Sequence, residues 1–273
     1  MDERAIAGAR KIPATFNGSD LITRQGQVEA KDLLFRHGVL HVKDFPCDAT
    51  LLLEVARSFG ALEIVRPKEH QLSGFEHVRL QSTIPGKGIQ GGGTYWHADS
   101  PWYDPPAAAT LLFGETAPSE DGQTLFVDMR EFLTRLPTNL LEVAHAGTGI
   151  YPCKDVLLAE HTAMNIYDEE LMSRMQNIRR PLIRTHPVTG DRALYINEKW
   201  LKEIVFEDRG EQATQYLDEI YHTLENYDGM ISHSWTSGDL LIWDNCLVSH
   251  KAVPSKVGDT KTTWRVIVET FSE

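Results

Sequence analysis

Cysteine is scarce in this chain. Among 273 residues there are three, Cys47, Cys153 and Cys246, far apart and with no C-x-x-C pair. That excludes a disulfide framework and a thiolate zinc site, and it favours a reducing compartment. No run approaches the ~20 apolar residues that cross a bilayer. The opening MDERAIAGARKIPATF lacks the apolar stretch of a secretory leader. The expected location is therefore cytoplasmic. Positive charge is also short: 27 Lys and Arg stand against 39 Asp and Glu, a net charge of −12. Such a chain repels phosphate backbones and anionic membrane surfaces, so nucleic acid and membrane are disfavoured and a small-molecule partner is expected. Repeats and low-complexity tracts are absent too. What is present, 41% hydrophobic and 24% charged residues, suits a globular chain with a sizeable core. One domain over 1–273 is the simplest reading.

Three helices are legible. One follows Asp48 as N-cap, carries Leu52, Val55, Ala56 and Phe59 on one face, and stops at Gly60. A second begins at Asp128, with Glu131 placed as in a capping box, and ends at Pro137. The third is expected over about 211–226, with Ala213, Tyr216, Leu217, Ile220 and Leu224 as its stripe. Strands are expected at 77–83, 110–114, 124–128, 182–186, 193–197, 240–244 and 264–270, separated by SEDGQ, PVTGD, TSGD and KVGDT turns. Strands without regular helical alternation favour a mainly β fold with flanking helices, a jelly roll. The stretch 153–180 is long, charged and Met-containing; it reads either as a lid insertion or as a helical excursion covering the sheet.

The segment TYWHADSPW (94–102) follows the glycine run GKGIQGGG and places His97 and Asp99 two apart. In an extended backbone such residues point to one face and can meet one ion. The best third ligand among eleven histidines is His250, just after the apolar strand LLIWD. Two histidines and one carboxylate leave open positions and suit non-haem Fe(II) rather than tetrahedral zinc. A lone His-x-Asp is common, so this set needs support. Arg265 in TTWRVIVE and Thr124 in TLFVD supply a guanidinium fork and a hydroxyl, which a small dicarboxylate requires. The competing reading of Arg265 is a surface ion pair with Glu269.

The blocks YWHAD (95–99), GQTLFVDM (122–129), PLIRTHPVTGDRALYIN (181–197) and GDLLIWDNCLVSH (238–250) together resemble the taurine dioxygenase (TauD/TfdA) family of Fe(II)- and 2-oxoglutarate-dependent oxygenases, over roughly residues 30 to 271. The resemblance implies a double-stranded β-helix, in agreement with the jelly roll. It implies Fe(II), 2-oxoglutarate and O2 as cofactor and co-substrates, and His97, Asp99 and His250 as metal ligands. Thr124 matches the threonine that touches the distal carboxylate of 2-oxoglutarate. Where the family carries two arginines four apart, this chain has Lys261 and Arg265. Arg265 is favoured for the distal carboxylate because a fork fits it better than an ammonium; Lys261 is the alternative. The implied reaction is hydroxylation or desaturation of an unactivated carbon, with release of succinate and CO2. Rival readings are a non-catalytic binding jelly roll and an iron oxygenase that does not use 2-oxoglutarate.

For substrate, Tyr95, His70, Arg79 and Trp102 are candidates. His70 lies near the place of the sulfonate-binding histidine in taurine-specific relatives; Arg79, Lys68 and Arg265 could serve an anionic or amino-acid-like head group. His186, His222 and His233 are expected to be structural. Asp244 and Asn245 either hold His250 or fix the strand end. Family members commonly assemble as dimers or tetramers, so a homo-oligomer is an expectation.

Overall fold

The computed structural model describes residues 9–90, 92–164 and 169–272. Its main sheet runs β1 (Ala14–Asn17), β2 (Val39–Lys43), β15 (Leu240–Asp244), β6 (Ala109–Thr116), β17 (Thr262–Phe271), β5 (Phe75–Ser82) and β4 (Gln71–Leu72), with β3 (Gly60–Leu62) also on β17. A small sheet is ordered β14 (Ile231–His233), β7 (Thr124–Asp128), β16 (Val248–Ala252). A third is ordered β13 (Glu211–Gln212), β12 (Glu203–Phe206), β8 (Gly147–Tyr151), β9 (Ile178–Pro181), and β10 (Ile183–Thr185) pairs with β11 (Arg192–Leu194). This is a jelly roll with flanking helices.

Strand alternation decides what faces the interior between the sheets. On β15, Leu240 and Ile242 join the outer core with the helices Arg24–His37 and Ala49–Phe59; Leu241 and Trp243 turn the other way. On β6, Ala109, Leu111 and Phe113 face that outer core, which sends Thr110 and Leu112 inward. On β17, Trp264, Val266 and Val268 face outward and Arg265 inward. A polar residue on the inner face of an apolar strand is therefore placed by the period-two rule alone.

Strands form at six of the seven expected places and only in part at 193–197, where the strand is Arg192–Leu194; the first two helices form where expected, with Asp48 and Asp128 as caps. The third is shorter, Leu217–Glu225, because Glu211–Gln212 pairs with β12 and a 3-10 turn covers Thr214–Tyr216. The helix Arg24–His37 escapes the sequence reading. Its buried face is only Gly26, Ala30 and Leu34, so its amphipathic signal is weak; Thr23 caps it and Gly38, at φ 73°, ends it. The stretch 153–180 begins with helix Cys153–Met164, continues with Glu169–Arg174 and ends in β9; the part of the lid expectation that falls on 165–168 lies outside the described residues. Among the described residues no helix is long and apolar enough to cross a membrane.

Candidate functional site: a His–Asp–His centre in a large cavity

His250 is the middle residue of β16, and His97 forms an antiparallel bridge with it through two backbone bonds of 3.0 and 2.8 Å. That bridge brings residues 153 positions apart (250 − 97) into ring contact, centroids 4.1 Å apart. Asp99 follows on the same extended stretch. Its carboxylate oxygens lie 4.0 Å from His97 Nε2 and 3.6 Å from His250 Nε2. These separations are too long for hydrogen bonds and leave room for a cation between the three ligand atoms. His97 Nδ1 is 2.7 Å from the Tyr95 carbonyl, an arrangement that fixes the ring and directs Nε2 at the site. Burial pushes the pKa values of both histidines down, so the rings are neutral and ready to ligate. Two imidazoles and a carboxylate, with no thiolate, form a donor set that fits ferrous iron.

The carboxylate is held from behind. Burial alone would raise the Asp99 pKa, but Arg265, the two histidines and Thr110 outweigh it and keep the group ionised. Arg265 Nη1 donates to Oδ1 at 2.9 Å and Thr110 Oγ1 to Oδ2 at 2.7 Å. Asn245 completes the scaffold: its amide donates to Thr110, and its carbonyl accepts from the Asp99 amide and from Trp243 Nε1. Asn245 therefore supports Asp99, not His250. Asp244 also does not hold His250; it accepts from His186 at 2.8 Å and caps the amides of Cys246 and Leu247. His186 is structural, as expected.

The glycine run has a specific use at one position. Gly93 has φ +71°, and a Cβ there would stand 2.7 Å from His97 Cε1. The backbone passes so close to the imidazole that a side chain would displace it.

The cavity in front of this centre has a volume of about 950 Å³; its wall includes His97, Asp99, His250, Thr124, Arg265, Lys261, Tyr95, His70, Arg79 and Trp102. The two cations of the C-terminal region separate. Lys261 Nζ donates to the Gly122 carbonyl at 2.7 Å and sits 4.9 Å from the centre of the Trp235 ring; Trp235 Nε1 in turn donates to Thr124 at 3.0 Å. Arg265 is tied to Asp99 on the inner face of β17. Lysine and threonine thus share one pocket end, and the guanidinium favoured from sequence lies beside the His97–Asp99–His250 group. Burial lowers Lys261 to about 8.

Tyr95 lies against His97 with the rings tilted by 42° and centroids 4.7 Å apart, and Trp102 meets Trp200 edge-on at 5.5 Å. Trp96 is core, with its indole on Glu225. Lys68 is exposed and outside the cavity wall. Sequence reasoning missed Thr110 and Glu63, and it did not find the partners of Asn245. A threonine inside the apolar run AAATLLFG and a glutamate inside GALEIV are the signals that could have found the first two.

Comparison with known proteins agrees with this architecture. The chain is 26% identical over 257 residues to the alpha-ketoglutarate-dependent 2,4-dichlorophenoxyacetate dioxygenase of Cupriavidus pinatubonensis, covering 85% of each protein. It is 27% identical over 218 residues to the alpha-ketoglutarate-dependent sulfonate dioxygenase of Saccharomyces cerevisiae, covering 73% of this chain but spanning only 49% of that protein. The crystal structure of AAD-2 with Mn(II) and N-oxalylglycine superposes with a TM-score of 0.70 at 19% identity, over 97% of this chain and 96% of that one. The model of the taurine catabolism dioxygenase TauD, TfdA family matches residues 4–267. The chain belongs to this family of Fe(II)- and 2-oxoglutarate-dependent dioxygenases and is an oxidoreductase.

Proposed function

We propose that the chain, as a single domain, hydroxylates or desaturates an unactivated carbon of a small anionic substrate, releasing succinate and CO2. The observation that carries this reading is the convergence of His97 Nε2, Asp99 and His250 Nε2, all within 4.8 Å of one another, on the wall of a cavity large enough for a keto diacid and a substrate together. These three side chains would hold Fe(II), and Thr124 with Lys261 would receive the distal carboxylate of 2-oxoglutarate. A lysine acts there as a point charge, with the Trp235 ring as its floor. Bound in this way, iron and keto acid supply the oxidative decarboxylation that oxidises the substrate.

The chain's own contribution is position and dryness. Arg265 and Thr110 fix both oxygens of Asp99, so the carboxylate does not swing when its neighbours change. Tyr95, Trp102 and Trp200 wall the site with aromatic surface that excludes water. Asp99 would give the metal a carboxylate where a halide would otherwise be needed, which supports hydroxylation or desaturation over halogenation.

The test is anaerobic addition of Fe(II) and 2-oxoglutarate. A weak visible charge-transfer band is expected, lost in His97→Ala and retained in His233→Ala. A band in both variants would refute the ligand assignment.

A further inference from the structure

Metal ligation uses only the front of the two segments that carry His97 and His250. Their backs converge on one carboxylate. The bridge between His97 and His250 is isolated rather than part of a longer ladder. One further backbone bond, from the Ala252 amide to the Gly93 carbonyl at 2.7 Å, joins the same segments. Alternation sends the residues next to the two ligands, Trp96 and Lys251, to the opposite face. Neither lines the cavity. Trp96 is fully buried and the Lys251 side chain mostly so.

Glu225 receives both. Trp96 Nε1 donates to Oε2 at 2.6 Å, and Lys251 Nζ donates to Oε1 and Oε2, each at 3.0 Å. The ammonium also lies 5.7 Å from the centre of the Trp96 ring, within cation–π range. The three side chains close a triangle. The Trp96 backbone is held as well: its amide donates to Glu198 Oε2, and its carbonyl accepts from the Glu198 amide, both at 2.9 Å.

Glu225 breaks a local rule. It is the last residue of the helix Leu217–Glu225, where a carboxylate meets the negative end of the macrodipole. The helix alone would be better served by a neutral or cationic residue, so the acid answers to its tertiary contacts. Its support is firm, because Leu217, Ile220 and Leu224 are buried in the same core as Trp96.

We propose that Glu225 is a positioning residue for the iron centre: it latches Trp96 to Lys251 behind the two segments and so sets the spacing and tilt of His97 and His250 in front. It touches neither metal nor substrate. The latch deepens the function proposed above and rests on its ligand assignment.

The test measures Fe(II) affinity of the full chain by anaerobic equilibrium dialysis and the charge-transfer band with 2-oxoglutarate, beside urea unfolding of the same variants. Glu225→Ala should weaken Fe(II) about tenfold, the lower end of what losing an outer-shell support costs, and should displace or broaden the band. Glu225→Gln keeps an oxygen for the indole but loses the charge facing Lys251; it should fall between Glu225→Ala and wild type. Glu219→Ala, which removes an exposed acid of the same helix, should match wild type in both metal readouts. If Glu225→Ala does not fold, Glu225→Gln/Lys251→Met replaces it; that variant leaves no buried ammonium unpaired and should weaken Fe(II) at least about threefold. A folded variant that loses stability yet binds Fe(II) within about twofold of wild type, with an unmoved band, makes Glu225 structural only and overturns the latch. If wild type gives no band, the ligand assignment falls first. The latch is then judged in the metal-free chain by the imidazole NMR signals of His97 and His250, which Glu225→Ala must shift and Glu219→Ala must not; unmoved signals sink it too.

Discussion

Among the described residues, two His–Asp–His clusters are built from the same residue types. His97, Asp99 and His250 face the cavity; His41, Asp239 and His233 lie behind Trp235. In the second cluster His41 Nε2 and His233 Nε2 sit 2.8 and 3.1 Å from the two oxygens of Asp239, and the Thr236 amide adds a third bond at 2.7 Å. In the first, the corresponding distances are 3.6 and 4.0 Å, because Arg265 and Thr110 already occupy the carboxylate. The closed cluster satisfies itself. The open one has its hydrogen bonds supplied from outside, so its ligand atoms stay available. Composition does not distinguish a metal centre from a structural knot; the source of the hydrogen bonds does.

The largest test of that contrast is ligand removal. His97→Ala or His250→Ala should lower Fe(II) affinity by more than about a hundredfold, beyond the effect of losing an outer-shell bond, and abolish turnover. His41→Ala should leave metal binding intact, as measured by equilibrium dialysis. A stability measurement should reverse the order. Asp239→Ala leaves the buried His233 and the half-buried His41 without their acceptor and should cost about 3 kcal/mol in urea unfolding.

The pH dependence of that contribution has a definite sign. Burial alone would raise the Asp239 pKa, but hydrogen bonds from His233, His41 and the Thr236 amide hold it well below the usual carboxylate range. Its contribution is therefore present above the ordinary carboxylate pKa of about 4 and is lost as pH falls below that value. Asp239→Asn should flatten the acid limb of the stability curve; an unchanged limb would contradict the closed cluster.

A smaller effect concerns the other end of the cavity. The Lys261 ammonium, lowered to about 8 by burial, deprotonates just above neutrality. 2-Oxoglutarate affinity should fall about tenfold from pH 7 to pH 9, following the protonated fraction, and Lys261→Arg should remove the dependence. The smallest is Thr110→Val, which takes one hydrogen bond from Asp99 and should weaken Fe(II) by at most about tenfold. A loss as large as that of His97→Ala would show that Thr110 does more than orient the carboxylate.

Much of this was legible in the chain. Period-two alternation located the strands, Asp48 and Asp128 marked helix starts, and His97, Asp99 and His250 stood out as a ligand set. The helix Arg24–His37 was not legible, because a face of Gly26, Ala30 and Leu34 carries little hydrophobic contrast. The partners of Asp244 and Asn245 were not legible either, since adjacent residues on a strand end point to different neighbours.

The sequence by itself determined the alternating strands, the residue types able to bind iron and a keto diacid, and a lysine at the position where the family resemblance implies arginine. Tertiary structure alone decided which histidine pair stays open and that Lys261 rather than Arg265 shares an end of the cavity with Thr124. Those outcomes depend on the register between strands far apart in the chain. A shift of one residue in that register would turn each of these side chains to the opposite face.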